Sequence, residues 1–234
     1  MTLFPFDELK IVFIEEVKNA FTQFIKKNHG GNPYIFSVVP REYCPDKCPS
    51  SFGIEACGNT ITNFKKCSVD DLYSYYCCEE WVHSSTEKDF SKTDKVILDY
   101  CTKNKDSIMK GDGRVTDEKY QGDSRYTQEY LEIIAGSEYT KEFMKFKADL
   151  FDFLVKNLVH LRNTGFFNSI YNEKIIINFE FPNFEDDCDS YYTDDVALKI
   201  FEKLNTEEEI EKYKKYIQNM RNEDDEEDEI DDNE

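Results

Sequence analysis

Three short apolar runs in the chain have the length and composition of buried β-strands. The first, residues 34–39, is mostly aromatic and β-branched, and it is bounded by Pro33 and Pro40. Such a run is too short for an ordinary soluble helix, and proline ends regular structure, so the pattern predicts a strand buried on both faces and stopped by the two prolines. Two further runs, at 51–57 and 175–181, predict the other strands of a small sheet.

Most of the remaining chain shows the three- and four-residue spacing of apolar positions that is typical of amphipathic helices. The longest such stretches are 7–27, 90–108 and 138–162. Two more helices are predicted near the C-terminus: Thr193 caps one that ends at Leu204, and a capping box at 206–209 begins the other. The sequence therefore predicts an α/β or α+β fold, in which a small, mainly antiparallel sheet is covered by several long helices.

No long linker separates two hydrophobic halves, so residues 1–221 are predicted to form a single globular domain. Residues 222–234 contain 10 acids, no base and no core residue. A segment of this composition cannot bury enough apolar surface to fold alone, which predicts a disordered acidic tail. Such a tail serves either solubility alone or contact with a basic cleft on a partner.

The net charge of the chain is −20, and it is not confined to the tail. Without residues 222–234 the balance is still 39 acids against 29 bases. An acidic body of this kind is not expected to bind free nucleic acid or an anionic membrane. It is expected to attract a basic protein, with faster association at low salt.

Neither a secretory leader nor a membrane span is visible in the sequence. The first residues lack the basic region and the long apolar run of a signal peptide, and no stretch approaches the roughly 20 apolar residues that cross a bilayer. We therefore expect a cytoplasmic protein whose eight cysteines are reduced.

Six of the cysteines lie between residues 44 and 78, which raises the question of a zinc site. Cys44 and Cys48 have the spacing of half a site, but no second pair matches it. Cys57, Cys67 and Cys77 fall among apolar residues of predicted elements, where thiols are common small core side chains. Ordinary thiols are therefore favoured over a structural metal, and no cofactor is predicted.

No catalytic motif stands out. The three histidines, His29, His83 and His160, belong to no recognisable nucleophile or zinc motif. The candidate functional residues are instead two acidic segments that present carboxylates to a basic partner.

The first segment places Glu79 and Glu80 beside Trp81, the only tryptophan. A tryptophan flanked by acids is a candidate hot spot for a partner's arginine or lysine. The alternative, which the sequence favours, is that the indole fills the edge of the core.

The second segment contains Glu185, Asp186, Asp187, Asp189, Asp194 and Asp195. It lacks the ligand spacing and the glycine of a calcium-binding loop. A solvated or partner-facing acidic surface is therefore favoured over a cation site.

The order of these elements resembles a bacterial family known as domain of unknown function 4303. The resemblance covers roughly residues 6 to 217, and it is carried by residues 33–37 (PYIFS), 51–60 (SFGIEACGNT), 79–82 (EEWV) and the pair Leu204-Asn205. The family offers no enzymatic residues to carry over. Relatives of similar architecture occur near polymorphic toxin systems, so the resemblance implies an immunity-like binding role.

Together these features predict a non-catalytic acidic protein that neutralises a basic protein partner. The partner is either a toxin, with this chain as its immunity protein, or a nucleic-acid-handling effector, which an anti-CRISPR-like surface inhibits by imitating the phosphate backbone. Acids from 183–195, 207–211 or the tail are expected to occlude its basic cleft. The alternatives are a metal- or thiol-dependent enzyme of unknown substrate and a housekeeping domain whose acidity serves solubility.

Overall fold

A computed structural model describes residues 3–43, 51–67, 72–77, 81, 83–84, 89–104, 141–180 and 194–231. The helices are α1 (Phe6–Asn28), α2 (Ile61–Cys67), α3 (Leu72–Tyr76), α4 (Ser91–Lys103), α5 (Lys141–Asn163), α6 (Phe166–Ile170), α7 (Asp194–Leu204) and α8 (Glu207–Asp231). The strands are β1 (Pro33–Tyr43), β2 (Ser51–Thr60), β3 (His83–Ser84) and β4 (Ile176–Phe179).

The four strands form one sheet in the order β3-β2-β1-β4. β1 pairs antiparallel with β2, β2 pairs antiparallel with β3, and β1 pairs parallel with β4. The predicted fold is confirmed: a small sheet, mainly antiparallel, lies among long helices in a single domain. The parallel β1–β4 pairing makes the sheet a mixed one.

β1 is longer than predicted, because it passes through Pro40 and continues to Tyr43, whereas Pro33 is its first residue. Pro40 stands opposite Ile54, whose N–H turns away from β1 and is accepted by Asp94 Oδ1 at 2.8 Å. Pro40 and Ile54 are therefore a pair without backbone hydrogen bonds between β1 and β2. The missing N–H of Pro40 removes no hydrogen bond to β2. The prediction that Pro40 ends the strand was wrong for that reason, whereas the strand does begin at Pro33.

Both faces of β1 are buried, as predicted. Phe36 and Val38 point into a large core that includes side chains of α1, α4, α5 and α6. Ile35 and Val39 point into a second, aromatic core that includes side chains of α3 and α8. The sheet is thus covered by helices on its two sides, which is the arrangement that an apolar run without alternation indicates.

The N-terminus of α4 is capped by a residue of α1. Glu16, which is only 5% exposed, accepts the backbone N–H of Lys92 through Oε1 and that of Thr93 through Oε2, both at 2.9 Å. Phe90, at the N-cap position, supplies no side-chain bond of its own. One carboxylate therefore satisfies two of the orphan donors of this helix and fastens it to α1.

Replacing Glu16 by alanine is expected to lower the free energy of unfolding by about 3 kcal/mol, because two buried N–H groups lose a charged acceptor. Its neighbour Glu15 provides the control, since its side chain is 52% exposed and pairs with the Nζ of Lys92 at 2.9 Å. Glu15→Ala should change stability by less than about 1 kcal/mol. Urea unfolding of both variants checks this, and equal losses would contradict the capping role.

Three departures from the sequence-based prediction concern helices. α2 lies where a polar connection is expected after Thr60, and α6 occupies residues expected to lead directly into β4. α8 continues as helical backbone to Asp231, through residues 222–231 for which the sequence predicts disorder. These residues include no glycine or proline and extend a helix that is already nucleated by packing, so each further turn needs no new nucleus.

Other predictions fall outside the described residues. They are the helix start at Ser68, the polar loop 110–126 and the short helix at 128–135. Within the described ranges, no helix has the combination of length and apolar character that crossing a bilayer requires.

Candidate functional site

The charge of α8 is divided sharply along its length. Residues 207–221 carry four acids and four bases, whereas residues 222–231 carry eight acids and no base. We call the first part the neutral half and the second part the acidic extension. The division separates a part of α8 with balanced charge from a part that is strongly acidic.

The neutral half is fixed to the domain by aromatic packing. Tyr213 stacks on Phe201 of α7 with ring centroids 4.1 Å apart and planes 6° apart, and it meets Tyr76 of α3 edge-on at 5.2 Å. Ile217 is the last α8 residue whose described side chain is buried. The core contacts of α8 that the structure describes therefore end before the acidic extension begins.

The first acids of α8 are already engaged within the domain. Glu208 lies 2.7 Å from Lys174 Nζ and 3.1 Å from Lys212 Nζ, and the hydrogen bond from Lys174 is the main reason that its pKa lies below the ordinary value. Glu209 Oε2 accepts the backbone N–H of Thr206 at 3.1 Å, which is one of the two bonds of the predicted capping box. The Thr206 hydroxyl donates to the same oxygen at 2.7 Å, and the Glu209 N–H donates to the Thr206 carbonyl at 3.0 Å. Glu208 and Glu209 are thus engaged at the start of α8.

The structure brings only part of the predicted partner-binding set into view. Trp81 is 8% exposed and lies in the second core with Tyr76 and Tyr213. This burial favours the core alternative for the indole over a partner-facing one. Asp195 is exposed in the first turn of α7, and Asp194 is the first residue of that helix. Glu79, Glu80, Glu185, Asp186, Asp187 and Asp189 lie outside the described residues.

The three cysteines whose side chains the structure describes are core residues. Cys57, Cys77 and Cys101 are all buried. In the part of the chain that the structure describes, no three histidine, cysteine, aspartate or glutamate side chains group as a metal site would require. Cys44 and Cys48, the predicted half-site, fall outside that part.

The histidines do not converge either. His83 Nε2 lies 2.8 Å from Asn63 Nδ2, and partial burial lowers the pKa of this ring. His29 and His160 are exposed on separate elements. The arrangement of the three offers no shared acid–base pair.

A polar row on the second face of the sheet was missed by sequence reasoning. Ser37, fully buried, stands opposite Asn178 in the parallel β1–β4 pairing. Its hydroxyl donates to Glu180 Oε2 at 3.2 Å, and Asn178 Nδ2 lies 3.5 Å from the same oxygen. The signal was present in the sequence: the apolar run 34–39 contains Ser37, and the run 175–181 contains Asn178 and Glu180. These bonds link β1 to the end of β4, so we interpret the row as a structural feature that holds the two strands together.

Asp94 of α4 is the described carboxyl with the most perturbed titration. Burial raises its pKa from the usual 3.8 to about 7, against the opposing effect of the Ile54 N–H that it accepts, and the nearby Glu16 and Glu55 add to the rise. The folded protein therefore holds a proton here that the unfolded chain releases above pH ~4.

Because folding raises this pKa, the contribution of Asp94 to stability is complete below pH ~4 and is lost as the pH rises through about 7. Asp94→Asn removes the titration but keeps an oxygen for the Ile54 N–H. We compare the unfolding free energy of the variant with that of the original chain at each pH. The difference should shift in favour of the variant by about 2 kcal/mol from pH 5 to pH 8. Urea unfolding at both pH values checks this, and a difference that does not move with pH would contradict it.

Comparisons with known proteins give one match. The sequence model of the family described as domain of unknown function (DUF4303) matches residues 14–206. This confirms the resemblance that the strand and Leu-Asn motifs predict. No curated protein and no solved structure shows significant similarity to the chain.

Proposed function

We propose that this chain, which belongs to the DUF4303 family, is a non-catalytic binding protein that neutralises a basic protein partner through the acidic extension of α8. One observation carries the proposal. The helix continues beyond Ile217, its last described buried residue, into ten residues that include eight acids and no base. A segment with so little apolar content serves the core poorly, and its charge suits a basic surface.

The charge density of the extension narrows the class of partner. At the helical rise per residue, ten residues span about 15 Å, so the eight acids give one charge per ~1.9 Å of axis. Double-stranded DNA carries one charge per about 1.7 Å. A groove that binds a nucleic-acid backbone is therefore matched in charge density by this helix, which favours a nuclease toxin or a nucleic-acid-handling effector as the partner.

The mechanism is electrostatic steering followed by occlusion. The field of the extension raises the rate of encounter with a basic cleft, and the helical backbone presents the charges without the ordering cost that a disordered tail pays. The neutral half of α8, held by Tyr213 and Ile217, places the base of the extension on a rigid domain. Cleft lysines and arginines then contact carboxylates in place of phosphates.

The biological setting follows from this class of partner. A protein that protects against a nuclease toxin or an effector acts where the nucleic acid is, which places this chain in the cytoplasm. Buried thiols such as Cys57 and Cys101 are compatible with that reducing compartment.

The proposal is tested by capture of the partner on the immobilised full chain. Lysate of the native host is applied at low salt and eluted with rising salt, beside a second bait in which the eight acids of the extension are replaced by their amides. We expect one basic nucleic-acid-handling protein in near-equal amount from the first bait only. Its retention by both baits, or elution that ignores salt, would contradict the proposal, and stoichiometric zinc in the purified chain would favour the enzyme alternative instead.

A further inference from the structure

The outer edge of β4 is closed by side chains. β4 is the last strand in the described sheet order, so one side of its backbone has no strand partner there. The parallel pairing with β1, and the bond from Glu180 N to Val38 O at 3.1 Å, set which groups point inward. By alternation, the N–H and C=O of Ile177 and the N–H of Phe179 point outward, where an edge strand normally offers them to another chain.

Asn205 occupies the place of a paired residue on that edge. Its Oδ1 accepts the Ile177 N–H at 3.0 Å, and its Nδ2 donates to the Ile177 carbonyl at 2.8 Å. One side-chain amide thus makes both bonds that a neighbouring strand would make to this residue. The next outward N–H, that of Phe179, is accepted by Asn178 Oδ1 at 2.9 Å.

The position of Asn205 is fixed by the turn between α7 and α8. Its backbone N–H and its Nδ2 both donate to the carbonyl of Phe201 at 3.1 Å, which closes the last turn of α7. The bond from the Thr206 N–H to the Glu209 carboxylate marks the start of α8 immediately afterwards. The end of α7 and the start of α8 therefore hold the Asn205 side-chain amide against β4, in addition to its own rotamer preference.

The opposite edge shows the same device. β3 covers Cys57 and Gly58 of β2, Asp94 Oδ1 accepts the N–H of Ile54, and Asn59 Oδ1 accepts the N–H of Thr60 at 2.9 Å. Side chains therefore form hydrogen bonds with backbone groups on both edges of the sheet, whose strands are otherwise strongly apolar.

We propose that Asn205 acts as a surrogate strand that closes the β4 edge against strand addition by a second copy of this chain. A copy is the relevant occupant because it brings an identical apolar β4, and like segments pair readily at exposed edges. The proposal is independent of the binding function, since the acidic extension and the β4 edge are different surfaces.

The test compares Asn205→Ala with Asn157→Ala. Asn157 is also a buried amide, 4% exposed, whose Nδ2 donates to the Phe153 carbonyl at 2.7 Å, but it lies inside α5 and away from the edge. In the Asn205 variant, amide exchange at Ile177 should accelerate by about tenfold or more, and sedimentation should show concentration-dependent association. The Asn157 variant should show neither change.

A second substitution keeps the test decisive if Asn205→Ala does not fold. Asn205→Asp retains the acceptor for the Ile177 N–H and loses the donor to its carbonyl, so Ile177 exchange should stay slow at a pH where the carboxylate is ionised. Unchanged Ile177 protection in the alanine variant would overturn the proposal. So would association no greater than that of the Asn157 control, or rapid Ile177 exchange in the aspartate variant.

Discussion

Replacing the eight acids of the acidic extension by their amides is expected to weaken binding of the captured partner by about 10³-fold at low salt. A protein that makes six to ten phosphate-like contacts loses roughly 10³–10⁵ in affinity over a modest rise in salt, because the contacts are electrostatic. The amide variant lacks those contacts from the start. Its residual affinity should therefore be weak and almost independent of salt, as titration calorimetry or surface plasmon resonance would show.

The control for this prediction separates the effect of where the acids lie from the effect of the total charge of the chain. One variant neutralises four acids of the extension, Glu223, Asp224, Glu227 and Asp228, and the other neutralises four exposed acids elsewhere, Asp7, Glu8, Asp152 and Glu202. Only the first should lose most of the affinity. Equal losses would mean that net charge alone, and not the helix, attracts the partner. Unfolding free energies should stay within about 1 kcal/mol of the original for both variants, since surface substitutions have small effects.

Gly58→Ala is expected to lower the free energy of unfolding by about 3 kcal/mol, because the added methyl group overlaps a buried ring. A Cβ at residue 58 would lie 2.6 Å from two ring carbons of Phe24, Cε2 and Cζ. That ring is 8% exposed and packs against Phe36 and His83, with centroids 5.8 and 6.2 Å away. Because these rings flank Phe24, we expect the added Cβ to push β2 and α1 apart.

Gly30→Ala is the matched control, because a Cβ at that position meets nothing within 4 Å. It should change stability by less than about 1 kcal/mol, and in the stabilising direction, since alanine narrows the unfolded ensemble. Thermal or urea unfolding of the two variants gives the comparison. A Gly58 variant as stable as the Gly30 variant would show that α1 does not press on β2 at this point.

The strands and long helices were predictable because the signals are local. An apolar run between two prolines identifies β1, and regular spacing identifies α1 and α5. The passage of β1 through Pro40 was not predictable, because it depends on Ile54 turning its N–H to Asp94 on a distant helix. The cap that Glu16 supplies to α4 is hidden for the same reason: donor and acceptor lie 77 residues apart.

Only part of the candidate site could be predicted from the sequence. The accumulation of acids after residue 222 is evident from composition, but composition predicts disorder, whereas the backbone of α8 is helical to Asp231. Asn205 shows the reverse case. Its place in the Leu204-Asn205 motif is visible in the sequence, but its pairing with Ile177 appears only when the turn and the strand are brought together.

Competition between this chain and duplex DNA for the captured partner tests the central claim most directly. The partner is first saturated with a fluorescent duplex oligonucleotide of about 20 base pairs, and the full chain is then added at fixed low salt. If the acidic extension occupies the nucleic-acid cleft, the duplex is released in a one-for-one exchange, and the eight-amide variant releases almost none. A stable ternary complex of partner, duplex and chain would contradict the account.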